Sequence, residues 1–150
     1  MKAWFVALFT VVLLADHNAV AVAQLSSYAG IHVNILNIKN SKGTVACALF
    51  NSPTGFPREF LKHATTIMII KIRDAQARCD FLDIPPGTYA LAVIHDANRD
   101  GKLNTNWLGH PKEGYGFSNN AKGILGPPSF PEASFLYDGQ DMEMTIRLHY

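Results

Sequence analysis

The sequence predicts an all-β protein, an antiparallel β-sandwich of immunoglobulin-like or transthyretin-like type with about seven strands and one long ordered loop. Three observations lead there. Short apolar–polar alternations recur along residues 24–150, each bounded by Gly, Pro, Asn or Asp. No segment has the length and period of a helix that could cross between parallel strands. A hydrophobic fraction of 48% in a chain of 150 residues is enough for one core.

The elements follow in order. Gly30 to Ile38 sets Ile31, Val33 and Ile35 against His32 and Asn34. Asn40-Ser41-Lys42-Gly43 is a turn, because glycine accepts a positive φ. Thr44 to Phe50 is apolar on both faces and is expected to return as the hairpin partner of the first strand. Asn51 to Pro57 interrupts the sheet, and Arg58 to His63 has room for one helical turn. Thr65 to Ile72 is a β-branched strand, Arg73 to Gln76 a polar turn, and Ala77 to Ile84 the next strand. Pro85-Pro86-Gly87 turns tightly, since proline presets φ and glycine takes the left-handed step. Thr88 to Ile94 then places Tyr89, Leu91 and Val93 on one face. Asp96 to Pro131 is longer than an idle connection, and Trp107, Tyr115 and Phe117 within it argue for order. Ser134 to Tyr137 is a short strand. Met142 to Leu148 alternates cleanly and reads as a strand with one wet face.

The chain opens with Lys2, an uncharged apolar run from Ala3 to Ala15, and the small-x-small box Ala21-Val22-Ala23. That order is the one a secretory signal peptide requires, with cleavage after Ala23 and a mature chain of residues 24–150 in the periplasm or medium. The alternatives are an uncleaved anchor and a buried helix. The run is shorter than the roughly 20 residues that span a bilayer, so no stable membrane span is expected after cleavage. No Cys stands at a lipoprotein position. Loss of Lys2 and Asp16 leaves the formal net charge of +1 unchanged. With neither sign clustered, nucleic-acid binding through a basic face is excluded. Cys47 and Cys79 both lie in strand-like runs with apolar neighbours two residues away. Export makes them a candidate disulfide, and two buried thiols that never meet are the alternative.

Three segments together resemble one family: Leu82-Asp83-Ile84-Pro85-Pro86-Gly87-Thr88-Tyr89-Ala90, His95-Asp96-Ala97-Asn98-Arg99-Asp100-Gly101-Lys102-Leu103, and Pro111-Lys112-Glu113-Gly114-Tyr115-Gly116-Phe117-Ser118-Asn119-Asn120. Ala48-Leu49-Phe50-Asn51 and Gly126-Pro127-Pro128-Ser129-Phe130 fit as well. The resemblance is to the exported bacterial family catalogued as domain of unknown function 2141, from about Ile31 onward. It implies a periplasmic or secreted β-sandwich and no particular activity. The Pro-Pro-Gly-Thr-Tyr segment alone is also similar to carboxypeptidase regulatory-like modules, an analogy of fold that points away from catalysis.

Asp96-Ala97-Asn98-Arg99-Asp100-Gly101 matches the first half of a D-x-[DN]-x-[DN]-G calcium loop. Oxygen side chains at alternate positions converge when the backbone curls, and Gly101 permits the turn. Lys102 would offer its carbonyl, and Asn104 would act through water. The bidentate Glu of the full motif is missing, because Trp107 stands in its place. Glu113 or Asn106 could supply the missing ligand. An ion-free loop of Asx turns is the other reading of the same residues.

Trp107, Tyr115, Phe117 and Asn119 are candidates for a ligand-binding rim, or for anchors that fasten the loop to the sandwich. His95 is a candidate ligand or general base, or a strand-end histidine hydrogen-bonded to the long loop. His32, His63 and His149 read as surface residues. No nucleophile motif or H-E-x-x-H is present. The sequence therefore points to a non-catalytic binding or structural module, with calcium as the one cofactor indicated. Its partner is expected to be an envelope or extracellular protein or a small ligand. A small periplasmic enzyme or small-molecule binder using His95, Asp96 and Glu113 is the alternative.

Overall fold

The computed structural model describes residues 29–150, and the signal-peptide assignment of residues 1–23 lies outside them. Among the described residues no helix is long and apolar enough to cross a membrane.

The described chain forms an all-β sandwich. Its strands are β1 (Gly30–Leu36), β2 (Thr44–Phe50), β3 (Thr66–Lys71), β4 (Ala77–Leu82), β5 (Gly87–Asp96), β6 (Gly114–Phe117), β7 (Phe135–Tyr137) and β8 (Met142–Arg147), eight against the seven expected. Two single-turn helices join them, α1 (Phe60–His63) and α2 (Phe130–Ala133). One layer has the order β4-β1-β8. The other has the order β3-β2-β5-β6, with β7 pairing the first residues of β5.

The expected hairpin between the first two strands does not form: β1 pairs with β4 and β8, β2 with β3 and β5. The reason lies in the faces. Val45, Cys47 and Leu49 join the core between the layers, while Ala48 and Phe50 join a second apolar cluster on the far side of the same sheet. A strand buried on both faces belongs in the middle of a covered sheet. The chain changes layer over residues 37–43, with left-handed steps at Asn37 and Gly43. A Cβ on Gly43 would collide with the Asp96 carbonyl, so the corner passes tightly against the end of β5.

The layers are not wholly antiparallel either. β8 runs parallel to β1, from Ile31 opposite Met142 to Leu36 opposite Arg147. β7 lies in the other layer, so the chain crosses over before β8 and enters beside β1 from the same end. The segment Asp96 to Pro131 is likewise not one loop. It contains β6, a 3-10 turn at Ser118–Asn120, and the start of α2. Alternate glycines make β6 possible. A Cβ on Gly116 would meet Ile146 at 2.7 Å, and one on Gly114 would meet the Tyr150 ring at 2.6 Å.

Cys47 and Cys79 are fully buried and bonded, joining β2 of one layer to β4 of the other with their Cα atoms 6.7 Å apart. The second apolar cluster is centred on Phe56, whose ring meets Phe50, Phe117 and Phe130 edge-on at 5.1, 6.1 and 5.8 Å. Residues 51–64 and 115–133 therefore cover the outer face of β2 and β5.

Candidate functional site

The last two residues of β5 point to opposite faces, as strand alternation requires. Asp96 turns outward and is almost fully buried by the loop that follows. Its Oδ1 accepts the Asp100 amide at 3.1 Å and its Oδ2 the Gly101 amide at 2.8 Å. Asn98 Oδ1 accepts the Asp100 amide at 3.2 Å. Asp100 Oδ1 accepts the Lys102 amide at 2.9 Å, and its Oδ2 takes the Asn98 and Asn104 side-chain amides at 3.0 Å each. Left-handed steps at Arg99 and Gly101 close the curl. The hydrogen bond from Asn104, then that from Asn98, hold the Asp100 carboxyl below the usual aspartate range.

Glu113, just before β6, closes the base of the curl. Its Oε1 accepts the Ala97 amide and its Oε2 the Asn104 amide, both at 2.9 Å. Sequence spacing brought Glu113 to this loop as a substitute ligand. In the structure both of its oxygens are engaged with backbone amides at the two ends of the curl. Asp96, Asn98, Asp100, Asn104 and Glu113 are thus brought together, with the backbone of Lys102 beside them.

The donor set is all oxygen and suits a hard cation. Among the described residues no group of three His, Cys, Asp or Glu side chains is placed to hold a metal. The candidate set therefore depends on the two asparagines. Asn104 Oδ1 is buried and without a partner, the only such side-chain atom among the described residues. Its amide nitrogen points at Asp100. The opposite amide orientation would present the oxygen there instead.

Beyond the curl, Thr105 and Pro111 form a bridge, and residues 106–110 turn around the Asn106 side chain, which accepts the Leu108 and His110 amides. This small turn carries Trp107, 90% exposed, and Leu108, 59% exposed, at its tip. The other rim candidates lie elsewhere. Phe117 is buried in the second apolar cluster, with Tyr115 packed beside it at a ring distance of 6.0 Å. Asn119 donates to the Ser134 carbonyl at 2.8 Å.

His95 faces the core and is not grouped with Asp96 or Glu113. Its Nε2 bonds the Lys42 carbonyl at 2.7 Å and its Nδ1 the Tyr150 hydroxyl at 2.8 Å, which also accepts the Lys39 amide. A bare carbonyl requires a donor, so Nε2 carries the proton and Nδ1 accepts from Tyr150. The histidine is tied to the layer-crossing corner and to Tyr150, not to the long loop as expected.

Sequence reasoning missed the outer face of the β4-β1-β8 layer. His32, expected at the surface, is only 9% exposed. It sits between Asp80 and Asp141, and Arg78 links Asp80 to Glu143. The signal was present as polar residues of one parity in three strands. It was unreadable without knowing that β1 pairs with β4.

Fold and loop together define a β-sandwich module with a hydrogen-bonded excursion at the end of its fifth strand. Residues 33–145 match the family described as an uncharacterized protein conserved in bacteria (DUF2141). The chain belongs to that family. No curated protein and no solved structure is matched.

Proposed function

We propose that this chain is an exported, non-catalytic binding module that presents the 96–113 excursion to an envelope or extracellular partner, with calcium held in the Asp96–Asn104 curl. The observation that carries the calcium reading is the convergence of Asp96, Asn98, Asp100 and Asn104 around one curl, with Asn104 Oδ1 buried and unsatisfied. The exposed Trp107–Leu108 tip supports the recognition role, because a large aromatic in solvent is a contact residue in waiting. The resemblance of the Pro85–Tyr89 segment to carboxypeptidase regulatory-like modules would fit the same role. The alternation that turns His95 to the core, away from Asp96 and Glu113 in the curl, weighs against the enzyme alternative, which needs all three together.

Calorimetric titration of metal-free protein tests the calcium half. Binding is expected with Kd about 10⁻⁴–10⁻³ M, the range of extracellular modules. At calcium about tenfold above Kd the melting temperature should rise by an amount equivalent to about 1.4 kcal/mol. Asp100→Ala, which removes the oxygen ligand outright, should abolish both. Absence of heat and of a melting shift at millimolar calcium removes the ion from the proposal. Binding to an envelope extract that survives Trp107→Ala would remove the tip.

A further inference from the structure

Among the described residues, two adjacent pairs of large apolar side chains stand in solvent. One is the Trp107–Leu108 tip. The other is Ile124 and Leu125, 97% and 101% exposed. Their turn is narrow at its neck, because a Cβ on Gly123 would collide with the Gly126 carbonyl. Both side chains therefore project from a convex point with no neighbour on any side. Pro127 and Pro128 follow and have no N–H, so residues 123–128 carry four backbone donors where six are usual. A segment short of donors loses least on leaving water.

The surroundings of this tip are basic. Lys122 immediately precedes the turn and is exposed. The Arg58 guanidinium lies beside Gly126, 3.5 Å from where a Cβ there would stand. Leu61, 69% exposed, and Lys62 come three and four residues later in the same helical turn and share the Arg58 face. Two carboxylates are close, and both are engaged. Glu59 pairs with His63 at 3.1 Å. Glu132 folds back on Ser129, accepting its amide at 2.6 Å and its hydroxyl at 2.8 Å. Arg58, Lys62 and Lys122 enter no ion pair among the described residues.

We propose that the Gly123–Gly126 turn is a membrane-surface anchor. Ile124 and Leu125 enter the boundary between headgroups and acyl chains, while Arg58, Lys62 and Lys122 meet the phosphates of anionic phospholipids. Shape favours a bilayer, which admits an apolar point without a matching cavity. Charge selects the kind of bilayer, because three cations without partners complement anionic headgroups and repel a second copy of the same patch. The contact is shallow and spans nothing. It is also separate from the recognition surface. The 51–64 segment leaves the sheet at Phe50, opposite Ala90, whereas the Trp107 excursion leaves it after Asp96, at the far end of β5. Either surface can fail without the other.

Co-sedimentation of the exported protein with vesicles tests the proposal. One set is phosphatidylcholine alone, and the other contains about one third phosphatidylglycerol. Each cation near the surface contributes about fivefold, so the anionic vesicles should bind about tenfold more tightly or better. That binding should weaken as salt rises from about 0.05 M to about 0.5 M. Leu125→Asp should keep the parent's melting temperature and bind about tenfold more weakly or worse, the loss expected when one Leu is withheld from an apolar phase. Lys62→Glu with Lys122→Glu should remove the preference for anionic vesicles. Trp107→Ala should bind as the parent does. Leu125→Trp gives a readout at the tip itself. In a Trp107→Phe background its fluorescence should move to shorter wavelength on anionic vesicles, while Leu82→Trp, on β4, should not respond. Absence of binding, including a case in which the tip takes a protein and no lipid, overturns the proposal. So does binding that Leu125→Asp leaves intact or Trp107→Ala abolishes, equal binding to both compositions, or a Leu125→Trp spectrum that ignores vesicles.

Discussion

His32 and Asp80, directly opposite in the β1–β4 pair, share a 2.6 Å hydrogen bond from Nδ1 to Oδ1, while the far ring nitrogen of His32 meets Asp141 at 2.9 Å. Only a doubly protonated ring donates to both carboxylates. Arg78 donates to the same Asp80 oxygen at 2.8 Å and to Glu143 at 2.7 Å, and Asn34 reaches Glu143 at 3.1 Å. Charge thus stitches together all three strands of the smaller layer.

That arrangement makes stability depend on pH in a stated direction. The hydrogen bond that His32 donates to Asp80 outweighs burial and, with that to Asp141, raises His32 above its ordinary 6.5. A raised value in the folded state means that the stabilisation is complete below 6.5 and is lost as pH climbs through the folded value. For Asp80, burial pushes upward most strongly, but the hydrogen bonds from His32 and Arg78 together hold it below 3.8. Its contribution is present above that ordinary value and lost as pH falls through the folded one. The melting temperature should therefore be highest between these limits and decline on the alkaline side. His32→Gln should remove the alkaline decline and cost about 1 kcal/mol at pH 6. That is less than buried charged pairs are worth, because Asp80 and Asp141 are half-exposed. Scanning calorimetry from pH 4 to 9 checks it. An alkaline decline that persists in His32→Gln assigns the effect elsewhere.

The Cys47–Cys79 bond is a covalent cross-link between the two layers, across 32 residues of sequence. Removing it should act mainly on the unfolded chain. The chain-entropy account gives a loss of about 3–4 kcal/mol for a loop of this length. The double substitution Cys47→Ala with Cys79→Ala should lower the urea midpoint accordingly, with the β signature of the circular dichroism intact. A loss under about 1 kcal/mol would mean that the unfolded state is already restrained.

The class of fold was legible because period-2 alternation survives in β1 and β8 whatever their partners. Pairing was not legible. The apolar faces of β2 mark it as an inner strand, yet nothing local says that β1 joins the opposite layer, because the corner at residues 37–43 reads as an ordinary turn. The curl at Asp96–Gly101 was visible as a motif, since its hydrogen bonds are local. Glu113 was found by proximity, but its hydrogen bonds to the two ends of the curl were not legible, because they join residues 9 and 16 apart in sequence. The His32 network was hidden because its members lie in three strands whose register is set only by packing.

Ser118 is fully buried where the 3-10 turn meets β5. Its hydroxyl accepts the Leu91 amide at 2.9 Å and donates to the Ala133 carbonyl. One small side chain thus satisfies two backbone groups that water cannot reach. Ser118→Ala deletes one atom and leaves both unpaired, which should cost about 1–3 kcal/mol. Ser118→Thr retains the hydroxyl but adds a methyl to a filled site and should also destabilise. Equal urea midpoints for the parent and Ser118→Ala would show that the neighbouring backbone finds other partners.

Glu113 is the residue on which the excursion depends, because it alone ties the first amide of the curl, Ala97, to the last, Asn104. It is buried, and hydrogen bonds to a charged group contribute about 1.5–3 kcal/mol each when shielded. Glu113→Ala should lose both and destabilise by about 3 kcal/mol. Glu113→Gln separates charge from shape. It keeps one acceptor but turns an amide N–H₂ toward the second backbone N–H, so about half the loss is expected. Hydrogen exchange locates the effect. Amides at residues 97–104 should exchange at least tenfold faster in either variant, while those of the β2–β5 pair change only with global stability. Unchanged exchange at Ala97 and Asn104 would mean that the local bonds of Asp96 and Asp100 hold the curl without Glu113.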